Sequence, residues 1–442
     1  MYLWEALPGI GIDGRGRLEI AGCDALDLAA RFGTPLYVYD EEEIRRRCRA
    51  WQGAVARWWP GGKVLYAAKA FSTVAMAALV REEGLGMDVC SGGELWTALT
   101  AGFPASRIYF QGNGKSPDEL ELALEEGVGH IVVDNHEELA RLERLGRPRR
   151  RRIRVLLRFA PGVEAGAHDH LSTGTMHSKF GFLPGSDLEA AVRTARESPV
   201  LELAGLSCHV GSQILVAEPF SAAADAAIRV AREFPWAPEW ELDLGGGLGA
   251  RYTEEDDPVS PHEVVGEVAC RLRQACQRDG VPLPRLILEP GRAVVAEAAV
   301  ALYTVQAVKQ VPGRSYVVVD GGLHDNPRPA LYGARYRASL AGRVTEPPAG
   351  SFWVVGKNCE SGDVLVRDIP LPRPRAGEVL AVFTAGAYQF TMASNYNRLP
   401  RPAVVFARAG RAETVVARET YRDVVARDRL PGWMSADAAA SS

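Results

Sequence analysis

The sequence predicts an α/β protein with a (β/α)8 TIM-type barrel and a C-terminal antiparallel β domain that the N-terminal segment completes. Three observations predict this fold class. Eight short apolar runs alternate with longer helical stretches between residues 63 and 289, the first five runs begin 23, 21, 23 and 23 residues apart, and the pattern changes after Arg292. Eight parallel strands separated by helices is the number that closes a barrel.

The eight runs are short and rich in aliphatic and β-branched residues, which is typical of buried parallel strands. A doubly wound open sheet is the competing fold, and it would place a site at one switch point instead of around a ring. The predicted strands cover residues 63–68, 86–90, 107–111, 130–134, 153–159, 203–209, 240–244 and 285–289, and helices are predicted at 74–83, 93–101, 117–126, 187–197 and 220–233.

After Arg292 the sequence is β-rich, with glycine and proline turns and little helical periodicity, which predicts a separate β domain. Its predicted strands cover 300–311, 315–319, 352–355, 379–383 and 403–407. We assign residues 1–35 to an N-terminal segment that joins the β domain, 36–292 to the barrel, 293–430 to the β domain and 431–442 to a disordered tail.

Composition narrows the functional classes. The chain has 442 residues, 47% hydrophobic content and a formal net charge of -4, so it can bury large cores, and its slightly acidic balance argues against nucleic acid as a partner. No apolar stretch approaches the ~20 residues of a membrane helix, and no signal peptide is recognised. The seven cysteines are scattered without a CxxC pair, which favours a reducing cytoplasm, and the basic run 147–152 is interpreted as a solvated turn.

Lys69 stands at the end of the first predicted strand, in Tyr-Ala-Ala-Lys-Ala (66–70). A lysine that emerges from a buried strand is desolvated, which disfavours its ammonium form and makes its amine a usable nucleophile. Most lysines near strands are surface residues, so the interpretation depends on the motifs that follow.

Polar or glycine-rich residues recur after the predicted barrel strands. Because the C-terminal ends of the strands face one mouth of a barrel, we expect these residues to converge on a single pocket. The set comprises Lys69, 88–91, Asn113, His209, 245–247 and Glu289.

The segment 243–249, Asp-Leu-Gly-Gly-Gly-Leu-Gly, follows the seventh predicted strand. Glycines allow backbone N–H groups to approach a phosphate, and a phosphate site late in the barrel recurs in this fold. The segment does not match the Rossmann dinucleotide-binding motif, because no acidic residue at the end of a strand follows about 20 residues later. A flexible turn is the alternative.

Glu289-Pro290-Gly291-Arg292 ends the eighth predicted strand. A glutamate here can hold a pyridine nitrogen protonated, which turns the ring into an electron sink. Gly291 and Arg292 add a backbone donor and a cation for phosphate or carboxylate. A Glu–Arg ion pair that closes the barrel is the alternative.

His209 ends the sixth predicted strand and Ser212 follows it, at a place where an imidazole can lie flat on an aromatic ring and a hydroxyl can reach a phosphate. A packed structural histidine is the alternative. Cys359, in Cys-Glu-Ser-Gly-Asp, lies in an acidic loop of the β domain. A cysteine is a competent proton donor when its thiol titrates near neutral pH, although a buried structural cysteine is the usual alternative.

Arginine and phenol donors in the β domain suit a doubly charged carboxylic substrate. They are Arg328 and Tyr332, in Arg-Pro-Ala-Leu-Tyr, and Tyr388, in Gly-Ala-Tyr.

With these motifs in this order, the chain resembles the pyridoxal-phosphate enzymes of the alanine racemase-like barrel type, and among them the meso-diaminopimelate decarboxylase family. The resemblance runs from Gly33 to Thr420. It is carried by ten motifs, at 66–70, 88–94, 179–181, 209–213, 245–249, 289–292, 328–332, 359–363, 386–388 and 394–397.

The resemblance implies pyridoxal 5'-phosphate as the cofactor, no metal, and Lys69 as the lysine that carries the cofactor as a Schiff base. Glu289 would face the pyridine nitrogen, His209 would stack on the ring, and the glycine loop would hold the phosphate. The implied cofactor-binding residues are Lys69, Asp88, His209, Ser212, Gly245, Gly246, Gly247, Glu289, Pro290, Gly291, Arg292 and Tyr388.

The resemblance also implies decarboxylation of meso-2,6-diaminopimelate to L-lysine, the last step of lysine biosynthesis. Cys359 would protonate the carbanion and, with Lys69 and His209, form the catalytic set. In this family the cysteine loop comes from the partner subunit, so a homodimer with shared active sites is implied. The implied substrate-binding residues are Arg292, Arg328, Tyr332, Glu360 and Tyr388.

Phe71 replaces an asparagine common in the family, and 323–326 varies a more common methionine-containing pattern. The main alternative is a recruited decarboxylase of the same fold that acts on another amino acid, such as ornithine, arginine, carboxynorspermidine or an intermediate of secondary metabolism. A non-catalytic homologue would have lost Lys69, Glu289 or Cys359, and all three are present. A metal-dependent barrel enzyme is discounted, because the carboxylates and histidines of this chain do not form a metal-ligand cluster at usable spacing.

Overall fold

The computed structural model describes residues 7–149, 152–163 and 178–434, and its centre is a closed barrel of eight parallel strands. Each strand begins within two residues of a predicted run, and the last strand pairs with the first, which excludes the open sheet. The barrel strands are β5 (Lys63–Ala67), β6 (Gly86–Val89), β7 (Ile108–Phe110), β8 (His130–Val133), β9 (Ile153–Arg158), β10 (Leu201–Ser207), β11 (Glu241–Asp243) and β12 (Arg285–Leu288).

Helices surround the barrel, and most begin at a residue that caps them. Ser116 and Ser260 form capping boxes with Glu119 and Glu263. The helices are α2 (Glu41–Trp58), α3 (Val74–Glu82), α4 (Gly92–Thr100), α5 (Pro117–Glu125), α6 (His136–Gly146), α7 (Ser186–Glu197), α8 (Glu218–Ala231) and α9 (Pro261–Asp279). Of these, α2, α6 and α9 were not predicted from the sequence.

Successive side chains along each barrel strand point alternately into and out of the barrel, which produces two separate hydrophobic cores. Side chains that point inward form a small buried cluster inside the barrel, including Leu65, Val132 and Ile287. Residues that point outward pack against the helices in the main core. The barrel is therefore filled with side chains, and space for a ligand lies at its mouth.

The second domain is a nine-stranded sheet of mixed direction. Most of its pairs are antiparallel as predicted, but β14 (Arg314–Val319) is parallel to β16 (Gly350–Val355), and β4 (Leu36–Asp40) is parallel to β19 (Ala403–Arg408). Its strands are β4 (Leu36–Asp40), β13 (Ala299–Val311), β14 (Arg314–Val319), β15 (Ala338–Leu340), β16 (Gly350–Val355), β17 (Val364–Leu371), β18 (Val379–Val382), β19 (Ala403–Arg408) and β20 (Arg411–Val416).

Strand β4 differs from the sequence-based boundary, which placed residue 36 at the start of the barrel. It lies between β13 and β19, so the N-terminal segment contributes a central strand. Its five residues are all buried, because both faces of the sheet are covered at this position. Local sequence could not reveal this, since a buried strand has the same pattern in either domain.

Before β4, the chain forms a small sheet of β1 (Ile10–Ile12), β2 (Leu18–Ile20) and β3 (Cys23–Asp24), followed by α1 (Ala25–Phe32). These elements share a second core with β4, β13 and β18. The first six residues, Arg150 and Arg151 of the basic run, and 435–442 of the predicted tail lie outside the described residues.

The β domain contacts the barrel mouth through α10 (Arg292–Val295), α11 (Arg328–Tyr332) and the loop after β18. In that loop, Gly386 N–H donates to Ala296 O (3.0 Å) and Tyr388 N–H donates to Ala70 O (2.9 Å). Helix α12 (Tyr421–Val425) follows the last strand. Among the described helices, none combines the length and apolar character needed to cross a membrane.

Candidate active site

A cavity of about 540 Å³ opens at the C-terminal mouth of the barrel, where the β domain covers part of the rim. Strand ends around the barrel and segments of the β domain both line it, as the sequence predicted. Its polar lining includes Lys69, Gln111, Asn113, Arg158, His209, Ser212, Glu289, Arg292, Arg328, Tyr332 and Tyr388.

Lys69 lies in a single 3-10 turn that follows β5, and its side chain is 38% exposed through the cavity. The expectation that Lys69 would be a neutral amine is wrong for the cofactor-free chain. Burial alone would lower the pKa of Lys69, but the acidic groups around it, first Asp88, whose Oδ2 lies 3.9 Å from Nζ, and then Cys90, Tyr388 and Glu289, together outweigh burial and raise the pKa above its usual value. The ammonium form therefore dominates.

Three buried carboxyl groups lie close together at the barrel end of the site, on β6, β11 and directly after β12, and of the three only Glu289 lines the cavity. Burial and the neighbouring Glu289 raise the pKa of Asp88 to about 7, and burial and Asp243 raise the pKa of Glu289 to about 8. Gln111 Nε2 joins two of them, donating to Glu289 Oε1 (2.9 Å) and Asp243 Oδ2 (3.0 Å). The Asp88 Oδ2 atom is buried without a hydrogen-bond partner among the described residues.

His209 follows β10 and lines the cavity next to Gly246 of the glycine loop. Gly246 N–H donates to its Nδ1 (3.2 Å), which assigns the ring proton to Nε2. Burial, followed by the charges of Lys69 and Arg158, lowers the pKa of His209 well below its usual value. The imidazole is therefore neutral, with a ring suited to stacking.

The glycine loop requires its glycines because neighbouring backbone lies too close for a side chain. A Cβ on Gly246 would collide with the carbonyl of Glu289, and one on Gly247, which has a φ of +126°, would lie 2.5 Å from the carbonyl of Gly211. Gly291 meets two alanine Cβ atoms at 3.0 Å in the same way. Gly247 and Gly291 line the cavity, whereas Gly245, Gly246 and Pro290 lie behind it and support it.

Two buried arginines line the cavity near its β-domain wall. Arg292 donates to Ser212 Oγ (2.7 Å) and Tyr252 Oη (2.6 Å), and its Nε has no hydrogen-bond partner among the described residues. Arg328, at the start of α11, donates to Tyr336 Oη (2.6 Å). No described carboxylate lies within ion-pair distance of either guanidinium group. The Glu289–Arg292 ion pair that the sequence left open is therefore absent from this described part of the chain.

Tyr388 and Tyr332 complete the β-domain side of the cavity. The Tyr388 backbone has a φ of +60°, and its ring faces the Arg292 guanidinium at 4.8 Å. Tyr332 is 38% exposed. Phe71, which replaces the more common asparagine, does not line the cavity. Its ring stacks on that of Tyr39 of β4 at 4.1 Å, so the larger side chain is accommodated by packing between the two domains.

Cys359 and Glu360 are exposed and do not line the cavity of their own chain. Two hydrogen bonds nevertheless fix the conformation of their loop. Cys359 N–H donates to Asn397 Oδ1 (2.8 Å), and Asn358 N–H donates to Asp363 Oδ2 (2.8 Å). The described chain thus brings together all the proposed site residues except this pair, which it presents on its surface.

Several site residues were not singled out from the sequence. Gln111 and Arg158 lie at or next to the ends of β7 and β9, so the rule that polar residues follow barrel strands could have found them. Asp243 was noted only as the start of the glycine segment. The sequence around Tyr252 did not indicate a place in the site, because that place depends on contacts with two arginines from distant parts of the chain.

Comparison with protein families gives one match over most of the barrel. The family described as "Pyridoxal-dependent decarboxylase, pyridoxal binding domain" matches residues 41–296, which is more than half of the chain.

Individual relatives match nearly end to end. The chain is 49% identical over 420 residues to the diaminopimelate decarboxylase of Bacillus subtilis (strain 168), covering 93% of this chain and 95% of the relative. It is 45% identical over 416 residues to that of Bacillus methanolicus, covering 93% and 96%. The crystal structure of the M. jannaschii diaminopimelate decarboxylase in complex with L-lysine superimposes with a TM-score of 0.88 at 32% identity, covering 96% of this chain and 98% of the other.

Proposed function

This chain belongs to the pyridoxal-phosphate-dependent diaminopimelate decarboxylase family, and on that premise we propose how its own residues carry out the reaction. The enzyme decarboxylates meso-2,6-diaminopimelate to L-lysine and carbon dioxide, the last step of lysine biosynthesis. Its cofactor is pyridoxal 5'-phosphate.

The residues of the cavity fit this cofactor. At one end, an arginine Nε without a partner in the described chain and glycines with no room for a Cβ form a cradle for a phosphate. At the other end, Lys69 lies beside the buried carboxyl groups. The neutral ring of His209, which accepts a hydrogen bond from Gly246, also lines the cavity. Gly247, Gly291, Ser212 and Arg292 would hold the phosphate, Arg292 would also face the distal carboxylate of the substrate together with Arg328, and Glu289 would face the ring nitrogen.

When bound, pyridoxal phosphate supplies an electron sink for the electron pair left by departing carbon dioxide. Glu289 strengthens that sink by holding a proton at the ring nitrogen. The acidic cluster favours this arrangement, because burial and Asp243 disfavour the Glu289 carboxylate in the cofactor-free chain, and a positive ring nitrogen would offset the crowded negative charge and stabilise that carboxylate.

Lys69 must lose a proton before its amine can bond to carbon. The described carboxylate within ion-pair distance of Nζ is that of Asp88, whose Oδ2 lies 3.9 Å away and has no hydrogen-bond donor among the described residues. Burial brings the pKa of Asp88 to about 7, so this carboxyl group can accept and release a proton near neutral pH. We therefore assign Asp88 the role of holding the Lys69 proton.

Arg328 carries the proposed substrate selectivity. Arg328 is 5% exposed and lines the cavity, and no described carboxylate lies within ion-pair distance of its guanidinium group. A buried guanidinium without an anionic partner favours a ligand that brings one, such as the distal carboxylate of diaminopimelate. Tyr332 beside it would donate to the same carboxylate, and this unneutralised arginine is the observation that carries the substrate assignment.

We infer a homodimer in which Cys359 and Glu360 of one subunit enter the cavity of the other. The support is that both residues are exposed on a well-held loop and are not part of their own chain's cavity. Cys359 Sγ would deliver the proton to carbon after carbon dioxide leaves, and Glu360 would bind the distal amine. A cytoplasmic location is also proposed, supported by seven cysteines that are all free.

The function is tested by carbon dioxide release from purified protein with pyridoxal phosphate, comparing meso-diaminopimelate with L-ornithine, L-lysine and L-arginine. Release from meso-diaminopimelate alone, with L-lysine as the product, is expected. A normal cofactor spectrum without diaminopimelate turnover would refute the substrate and indicate a recruited decarboxylase.

A further inference from the structure

Tyr252 lies behind the cavity wall, between the two buried arginines. Its hydroxyl accepts a hydrogen bond from Arg292 (2.6 Å), and its ring centroid lies 5.1 Å from the guanidinium carbon of Arg328 and 5.7 Å from that of Arg292. The residue is 6% exposed and does not line the cavity. It therefore reaches a ligand only through the arginines.

The position of Tyr252 is fixed from both sides. Its backbone N–H donates to Asp256 Oδ2 (3.0 Å), which closes the turn after the glycine loop. Its ring packs edge-on against Tyr336 at 5.4 Å, and Tyr336 Oη in turn accepts from Arg328 (2.6 Å). The two phenols and two guanidinium groups form one buried cluster that joins the barrel to the β domain.

We propose that Tyr252 is a positioning residue that holds Arg328 and Arg292 apart and aimed into the cavity, so that the site selects ligands with a distal carboxylate. This inference rests on the proposed function and deepens it. Tyr252 does not touch the substrate, so it acts on affinity through the guanidinium groups.

A phenol suits this role better than a carboxylate or an apolar ring. An aspartate or glutamate would form an ion pair with the arginines and compete with the incoming anion. A phenylalanine would keep the ring face but leave an Arg292 donor unpartnered. Tyrosine supplies an acceptor and a π face, and its protonated phenol carries no charge, which leaves both positive charges available to ligands.

The electrostatics agree with this geometry. Burial alone would raise the pKa of Tyr252, but the charges of Arg292 and Arg328 outweigh it and lower the pKa below its usual value. The shift shows that the oxygen of Tyr252 lies in the positive field of both arginines.

The test compares the binding of L-lysine and cadaverine to the cofactor-loaded enzyme by calorimetry. L-Lysine keeps the distal carboxylate of the substrate, and cadaverine, which has the same amines and chain length, lacks it. In Tyr252→Phe, the dissociation constant for L-lysine should rise about tenfold or more, as expected when a charged group loses a hydrogen-bond partner, while that for cadaverine changes less than about twofold.

Steady-state kinetics give a second measure. With meso-diaminopimelate, Tyr252→Phe should raise KM by about the same factor as the L-lysine dissociation constant and leave kcat within about threefold. Tyr109→Phe is the matched control, since it also removes a buried phenol hydroxyl, but one bonded to Lys63 and Glu241 at the opposite end of the barrel. Its ratio of L-lysine to cadaverine affinity should equal that of the wild type.

Equal weakening of both ligands in Tyr252→Phe, or no weakening of either, would overturn the proposal. Arg328→Gln separates this failure from failure of the proposed function. If Arg328→Gln loses the preference for L-lysine while Tyr252→Phe retains it, the carboxylate subsite stands and only the role of Tyr252 is refuted. If the wild-type enzyme does not decarboxylate meso-diaminopimelate, the proposed function itself is refuted.

Discussion

Lys69 and Asp88 face each other across neighbouring barrel strands, with Nζ 3.9 Å from Oδ2. This separation leaves the Asp88 oxygen without a hydrogen-bond donor in the described chain, yet close enough for its charge to stabilise the ammonium group. The reactivity of Lys69 therefore depends on a second residue, as well as on its own desolvation.

Replacing Asp88 with asparagine should lower the pKa of Lys69, because burial then acts without the nearest opposing charge. The rate of reductive methylation of Lys69 in cofactor-free protein, followed by mass spectrometry across pH, should rise at lower pH than in the wild type. Asp187→Asn, which removes an exposed carboxylate paired with His136, is the control. An unchanged profile in Asp88→Asn would remove Asp88 from the role of proton holder.

Glu289→Gln should stabilise the cofactor-free protein at alkaline pH. The folded pKa of Glu289 is raised from 4.5 to about 8, so its stabilising contribution is complete below pH 4.5 and is lost as the pH rises through 8. Glutamine stays neutral, and because a pKa raised from 4.5 to about 8 is equivalent to about 1.4 kcal/mol for each pH unit, the gain in unfolding free energy should be on the order of 4 kcal/mol at pH 8.5.

Thermal unfolding at pH 5 and pH 8.5 measures this effect. The variant should have a higher Tm than the wild type at pH 8.5, and the difference should shrink at pH 5. The same variant should lose most decarboxylase activity, since a neutral amide holds a ring proton poorly. A larger Tm difference at pH 5 than at pH 8.5 would contradict the assigned pKa direction.

Arg328→Gln should lower kcat/KM for meso-diaminopimelate by an amount equivalent to about 2–5 kcal/mol, because a charge-assisted contact to a carboxylate is lost inside a buried site. Arg314→Gln is a suitable control, since Arg314 stacks on Trp353 in the β domain and does not line the cavity. Kinetics of Arg328→Gln equal to those of the wild type would exclude the carboxylate clamp.

Shared active sites can be tested by mixing two inactive variants, Lys69→Ala and Cys359→Ala. If Cys359 acts in the partner's cavity, half of the redistributed dimers are mixed and each mixed dimer has one intact site, so about a quarter of the wild-type activity should return. Each variant alone, taken through the same dissociation and reassociation, is the control. No recovery despite confirmed mixed dimers would place Cys359 in its own chain's site or outside the reaction.

The fold class and the order of the site motifs were predictable because both depend on local patterns in the sequence. A buried strand needs a short apolar run, a crossover helix sets the spacing, and the ends of parallel strands share one mouth. Lys69, His209, Gly247 and Glu289 accordingly lie where the sequence placed them, around one cavity.

The sequence by itself thus determined the barrel, the β domain and the residue types at the mouth, since each depends on neighbours along the chain. Only the tertiary structure decided that β4 lies within the β sheet, that Lys69 is held as an ammonium ion and that Tyr252 lies between two arginines. These depend on contacts between residues far apart in sequence. Charges and hydrogen bonds act through space, so the burial of Lys69 can be predicted from its neighbours in the chain, but the acidic groups from distant segments that together reverse its pKa shift cannot.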